Sequence, residues 1–313
     1  MLLTPGPTPV PEFVRKAMAD ITIHHRTEEF EAIFKNTREL LIELYDMPEV
    51  VMLASSGTGA MESCITNLTH KKALTINSGK FGERFGKICA AFGIDYTEIK
   101  NEWDTPVSVE AVVNAVKADS SIDAVFIQIC ESAGGLRHPV ELIAAEVKKI
   151  NKDIMIIADG ITAIGVEKID TTNLDAVITG SQKALMLPPG LAIIGLSNEA
   201  VAKIELKPRG YYFNLATEIK NQRKNTTAWT AATTLIIGLG AILEKLKADG
   251  FDKLFTQTAL RANATREALK AIGFDIYPKT PANAMTTVYT EQSSAIRKIL
   301  ENKYNVNIAG GQD

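Results

Sequence analysis

The sequence predicts an α/β protein in which a mostly parallel sheet is covered by helices. Three observations carry this reading. Short runs at 50–54, 72–77, 124–130, 154–158, 176–179 and 191–195 are apolar nearly throughout and rich in β-branched residues, the composition of strands buried on both faces. Longer stretches lie between them with apolar residues near the 3.6 period. Phe30, Ile33, Phe34, Leu40, Leu41 and Leu44, with Thr37 in step, mark a helix over 28–45, and 140–151 and 233–248 behave likewise. The alternation of the two kinds of segment is that of parallel strands joined by helical crossovers.

Thr4-Pro5-Gly6-Pro7-Thr8-Pro9 excludes regular structure, because proline fixes φ and removes donors, so an extended arm over 1–17 is expected. Asp249-Gly250 ends the last of the three helices and marks a hinge. The large domain is therefore expected over 18–250 and a smaller one over 251–313.

With 313 residues, 46% hydrophobic and 23% charged, the chain can bury a large core. A net charge of -3 offers no basic excess, so neither nucleic acid nor an anionic membrane is an expected partner. The expected ligand is small. No apolar run is long enough to cross a bilayer, and Met1-Leu2-Leu3 leads into prolines rather than a signal-peptide core, which makes the cytoplasm the expected location. Cys64, Cys89 and Cys130 form no CxxC pair and have no histidine at ligand spacing; they read as small core residues, and no metal site is expected.

The run 50–54 leads into Ser55-Ser56-Gly57-Thr58-Gly59-Ala60 and then into the helical Met61-Glu62-Ser63-Cys64-Ile65. A helix N-terminus at such a turn holds phosphates, although small residues also make tight turns with no ligand. The turn lacks the Lys-Ser/Thr of an ATP loop, and Glu62 stands where a dinucleotide turn has its third glycine, so a single phosphate fits better than ATP or NAD. Asp159-Gly160 follows the run 154–158, at the strand end where open α/β sheets place ligands. Asp159 reads either as a turn aspartate or as the carboxylate that a pyridinium nitrogen requires. Lys183 stands after the strand 176–179 and before Leu187-Pro188-Pro189-Gly190. A single lysine is most often a surface charge; phosphate turn, strand-end acid and strand-end lysine in this order describe a pyridoxal-phosphate site.

With these residues in view, the chain resembles the class V aminotransferases of fold type I, most closely the serine-pyruvate/alanine-glyoxylate group. The likeness covers nearly the whole chain. Its markers are Leu3-Thr4-Pro5-Gly6-Pro7-Thr8, His25-Arg26, Ser56-Gly57-Thr58-Gly59, Gly79-Lys80-Phe81-Gly82-Glu83-Arg84, Asp159-Gly160, and Gly180-Ser181-Gln182-Lys183 with Pro188-Pro189-Gly190, the last being the most specific. The resemblance implies that Lys183 is the Schiff-base lysine and that Asp159 keeps the ring nitrogen protonated. It implies that Phe81 stacks on one ring face and Ile161 on the other. Ser56, Gly57, Thr58 and Gly59 take the phosphate with Gln182, Ser132 sits near the ring hydroxyl, Thr230 reaches the phosphate of a neighbouring subunit, and Gly6 faces substrate. A homodimer with shared sites follows from the same likeness.

Three departures accompany it. Glu131-Ser132-Ala133-Gly134-Gly135 stands where relatives carry Glu-Thr/Ser-Ser-Thr-Gly. Thr227 occupies a position that is tyrosine in some relatives. The sequence reaches Asp313 where the family continues to an arginine that binds the substrate carboxylate, so the small α+β domain is expected to be incomplete. The implied reaction moves an amino group between a small amino acid such as alanine or serine and a 2-oxo acid such as pyruvate or glyoxylate. The alternatives are a lyase or cysteine desulfurase of the same fold, although relatives of that kind carry histidine where Gln182 stands, and a pyridoxal-phosphate-binding protein without catalysis.

Overall fold

A seven-stranded sheet runs through the computed structural model, which describes residues 1–311. Its strands come from β1 (Glu49–Ala54), β2 (Lys72–Asn77), β3 (Asp95–Lys100), β4 (Ile122–Gln128), β7 (Met155–Asp159), β8 (Ala176–Gly180) and β9 (Leu191–Leu196); β5 (Cys130–Glu131) and β6 (Leu136–Arg137) form a separate two-stranded ribbon. The order across the sheet is β1-β9-β8-β7-β4-β2-β3. β9 is antiparallel to both its neighbours and the remaining pairs are parallel, so the sheet is mostly parallel as expected.

The helices are α1 (Glu12–Met18), α2 (Glu28–Tyr45), α3 (Gly57–Leu68), α4 (Lys80–Ala91), α5 (Val109–Ala118), α6 (Val140–Ile150), α7 (Asn198–Leu206), α8 (Leu215–Gln222), α9 (Thr233–Asp249), α10 (Phe251–Ala271) and α11 (Ser293–Tyr304). Successive strand residues feed opposite cores. In β7, Ile156 and Ala158 join the core that includes Phe30, Phe34 and Leu41 of α2 and Leu239 and Leu243 of α9, whereas Met155 and Ile157 join the core of α3, α4, α7 and α8. This double burial is why the strands are apolar on consecutive positions.

α2 matches its predicted limits. Its start is set by Thr27, whose hydroxyl accepts from Phe30 N–H at 3.3 Å, and its end by Asp46 in the left-handed region at φ 51°. Between α9 and α10, Gly250 adopts φ 91° and lets the chain turn from one helix straight into the next. Residues beyond it carry α10 and α11, an Ile276–Val288 bridge, and a parallel Leu2–Asn307 bridge that ties the N-terminal arm to this region.

Three local features differ from the sequence reading. The arm is irregular through Pro11 and then helical, as α1, which packs on α9. β3 was not anticipated: Asp-Tyr-Thr-Glu-Ile-Lys lacks an apolar run because this strand forms the sheet edge, where charged residues block further pairing. The run predicted as one strand over 124–130 breaks after Gln128: Ile129 N–H still donates to Asp159 O at 2.8 Å, but the Ile129 carbonyl accepts from His138 N–H at 3.0 Å as the chain leaves the ladder for the β5–β6 ribbon. Among the described residues no helix is long and apolar enough to cross a membrane.

Candidate active site

β1, β2, β4, β7 and β8 end at one edge of the sheet. Ladder partners place Ala54 beside Leu191, Ala192 beside Gly180, Ile178 beside Asp159, and Asp159 beside Gln128. The helices α3 and α4 begin at the same edge, and Lys183 lies in the turn after β8.

That turn is tied down by Ser181. Its N–H donates to Leu191 O at 2.9 Å and its hydroxyl donates to Pro188 O at 2.7 Å. The N-terminal arm closes over the next residues: Thr8 N–H donates to Gln182 O at 3.0 Å, and the Thr8 hydroxyl to Lys183 O at 2.8 Å. Lys183 Nζ donates to Pro5 O at 3.1 Å. Gly6 lies directly against this amine, since a Cβ there would stand 2.7 Å from Nζ and 2.6 Å from Cδ. Burial holds the Lys183 amine below the usual lysine range, against the opposing pull of Asp159 and Cys130.

Asp159 is 4% exposed. Its Oδ1 accepts from Ile161 N–H at 2.9 Å. Burial pushes its carboxyl up to about 7; the Ile161 N–H opposes this, the Glu131 charge adds to it, and the Arg84 and Lys183 charges oppose it. Ile161 reaches from here to the Ser56–Gly59 turn, because a Cβ on Gly57 would stand 2.3 Å from Ile161 Cδ1. At that turn Ser56 is the N-cap of α3 but its side chain makes no capping bond; Gly59 N–H donates to Ser56 O at 2.9 Å, and the N–H groups of Gly57 and Thr58 are left for another acceptor. Thr58 Oγ1 accepts from Arg84 Nη1 at 2.8 Å, and the Arg84 guanidinium lies 4.7 Å from the Phe81 ring centre.

Two residues whose roles the sequence does not reveal stand out. Glu131 is fully buried and caps α4: its Oε2 accepts from Phe81 N–H at 3.1 Å and Gly82 N–H at 2.8 Å, while Oε1 accepts from Ala133 N–H at 2.9 Å. Burial raises its carboxyl above the ordinary value, and these amides oppose the rise. Arg84 is the other. Its i, i+3 spacing from Phe81 is the sequence signal that one helix face carries both.

The structure thus gathers Gly6, Gly57, Thr58, Phe81, Asp159, Ile161 and Lys183, with Gly59 following Thr58 in α3. Gln182 is half-buried, with its Oε1 enclosed and lacking a hydrogen-bond partner. Ser132 is half-buried in the loop after Glu131. Thr230 is exposed and lines a different depression, with Ala54, Tyr212, Thr227 and Trp229. The Thr227 hydroxyl donates to Trp229 O within that segment. The Gly134 departure has a steric cause, because a Cβ there would meet Trp103 O at 2.9 Å and Tyr277 Cε1 at 3.2 Å.

These features define a class of protein: an α/β enzyme with an amine and an acid poised at the ligand-binding edge of its sheet. The family model for class-V aminotransferases matches residues 2–313. An uncharacterized aminotransferase of Helicobacter pylori is 46% identical over 314 residues, covering 100% of this chain and 85% of its own. The serine–glyoxylate aminotransferase of Methylorubrum extorquens is 27% identical, covering 99% of this chain and 82% of its own. The solved structure of a subgroup IV aspartate aminotransferase from Thermus thermophilus superposes with a TM-score of 0.93 at 30% identity, covering 100% of this chain and 89% of that one. The chain belongs to the class-V aminotransferases. It is a transaminase, and its cofactor is pyridoxal phosphate.

Proposed function

We propose that the chain moves the amino group of a small neutral amino acid, serine or alanine, to a 2-oxo acid such as glyoxylate or pyruvate, as a cytoplasmic homodimer with shared sites. The observation that carries this reading is the meeting of Lys183 and Asp159 on neighbouring strand ends, beside the open N-terminus of α3.

The residues present fit the cofactor. Asp159 is a buried carboxyl held up to about 7 and, among the described residues, without an ion-pair partner, so a protonated ring nitrogen would supply the cation it lacks and a second donor beside Ile161 N–H. When bound, pyridoxal phosphate supplies an aldehyde for condensation with amines and an electron-poor ring that takes up the electron pair of a broken Cα–H bond. Lys183, its amine brought closer to neutrality by burial, would serve as the nucleophile toward the aldehyde and, when free, as the base that takes the substrate Cα proton. Asp159 would keep the ring nitrogen protonated.

Phe81 and Ile161 would pack on the ring. Ser56, Gly57, Thr58, Gly59 and Gln182 would hold the phosphate at the α3 N-terminus, and Ser132 would serve the ring hydroxyl. Thr230, away from this cluster in its own chain, is offered to the phosphate of a neighbouring subunit. Residues 1–17 act as the arm, 18–250 as the cofactor domain and 251–313 as the small domain.

The arm supports a small donor, because Pro5 and Gly6 crowd the Lys183 amine. Gly6→Ala is expected to lower kcat/KM by about 10- to 100-fold, the cost of displacing a reacting amine by about an ångström; steady-state kinetics on the folded variant check this. Thiol chemistry of the desulfurase kind is disfavoured, since all three cysteines are buried and burial pushes Cys89 and Cys130 up to about 12.

Stopped-flow mixing of the cofactor-loaded protein with serine, alanine or aspartate, followed by glyoxylate or pyruvate, tests the donor. Serine and alanine are expected to react at least about tenfold faster than aspartate. A faster reaction with aspartate replaces the donor assignment, and no amino transfer to either oxo acid refutes the reading.

A further inference from the structure

Arg84 lies on α4 one turn beyond Phe81, half-buried, with Nη1 2.8 Å from Thr58 Oγ1 and its guanidinium over the Phe81 ring. A guanidinium carries five N–H donors in a planar fork suited to a two-oxygen anion. Among the described residues this one makes a single hydrogen bond, to a hydroxyl, and no carboxylate lies within ion-pair distance of it. The two nearby acids are engaged elsewhere. Glu131 accepts from the amides of Phe81, Gly82 and Ala133, and Asp159 accepts from Ile161. The fork therefore lacks its natural partner at the place where α3 presents N–H groups that its N-cap side chain does not engage. Thr58 adds a second consequence: its oxygen accepts from Arg84, so its own hydroxyl proton is free to be donated, and the accepted bond strengthens it as a donor.

We propose that Arg84 belongs to the phosphate subsite, sharing the charge of the cofactor phosphate with the α3 N-terminus through its remaining N–H groups and through the polarised Thr58 hydroxyl. Its stacking on Phe81 couples the grip on the phosphate to the residue that packs on the ring. The inference rests on the placement of pyridoxal phosphate at the Thr58 turn and adds a cationic ligand to it.

The test needs no turnover. The cofactor-free protein is titrated with pyridoxal phosphate and, separately, with pyridoxal, which lacks the phosphate, and Kd is read from the absorbance of the bound aldehyde. Arg84→Met is expected to lose about 10- to 100-fold in affinity for pyridoxal phosphate, the loss of one or two charge-assisted hydrogen bonds, while its affinity for pyridoxal stays within about twofold. Arg84→Lys keeps the stem and the charge without the fork; its preference for the phosphate ester is expected to fall between those of wild type and Arg84→Met, and it decides the matter if Arg84→Met does not fold. Inorganic phosphate should compete with pyridoxal phosphate more weakly in both variants. An unchanged ratio of the two affinities overturns the inference, also when the variants show a raised KM for the amino acid, which would place Arg84 on the substrate. A wild-type protein that binds neither aldehyde overturns instead the cofactor placement on which the inference rests.

Discussion

Lys183→Ala is expected to leave a folded protein that holds no covalently linked cofactor and transaminates slower than wild type by roughly 10⁴-fold or more, because in the proposed reaction one amine would serve as both nucleophile and proton carrier. The fold tolerates the change: the side chain is half-buried and donates only to Pro5 O, in an arm segment that keeps its Thr8 bonds to the backbone of Gln182 and Lys183. Borohydride reduction of the loaded protein followed by peptide mass spectrometry checks it. Wild type should carry a cofactor-sized adduct on the peptide containing Lys183 and the variant none. An adduct on a different lysine in wild type would remove Lys183 from the centre of the site.

Asp159→Asn is expected to act in opposite directions on stability and on catalysis. The carboxyl titrates near 3.8 when unfolded and is pushed up to about 7 in the fold. Between these values the native state binds the extra proton, so cofactor-free wild type loses stability as pH rises through this window, and the full cost is present above about pH 7. That cost is on the order of 4 kcal/mol, at about 1.4 kcal/mol per pH unit. Asparagine stays neutral and keeps an oxygen to accept the Ile161 N–H. The cofactor-free variant should therefore be more stable than wild type in urea at pH 8, with the difference vanishing toward pH 4. Loading with pyridoxal phosphate should narrow or reverse the gap, since only the carboxylate pairs with a ring cation, and transamination should fall roughly 10³-fold. Equal stability of the two cofactor-free proteins at pH 4 and pH 8 would show that the carboxyl is not strained by its burial.

Much of this site was legible because burial leaves a local trace. β7 and β8 are apolar on consecutive positions, so the polar residue that ends or follows each of them, Asp159 or Lys183, stands out against the run. The small-residue turn at Ser56–Gly59 is visible for the same reason. What was missed leaves no such trace. β3 reads as polar because an edge strand must, and the break after Gln128 comes where the Ile129 carbonyl accepts from His138 N–H instead of from β7. Glu131 and Arg84 sit in segments where nothing about neighbouring residues reveals that one caps α4 across 50 positions and the other reaches Thr58 across 26.

By itself, then, the sequence determined where the buried strands lie, which residues stand at their ends, and that these residues suit an amine-and-acid chemistry at a phosphate turn. Only the tertiary structure decided that the arm at Pro5 and Gly6 closes on Lys183, across 178 positions, that Glu131 fixes the start of α4, and that Arg84 reaches Thr58 at the start of α3 with no carboxylate among the described residues to pair its fork. The physical reason is that hydrophobic periodicity reports how a segment meets its own environment, whereas these contacts follow from the order in which strands line up. The order β1-β9-β8-β7-β4-β2-β3 is a property of the packed sheet, and it alone brings distant strand ends to one edge.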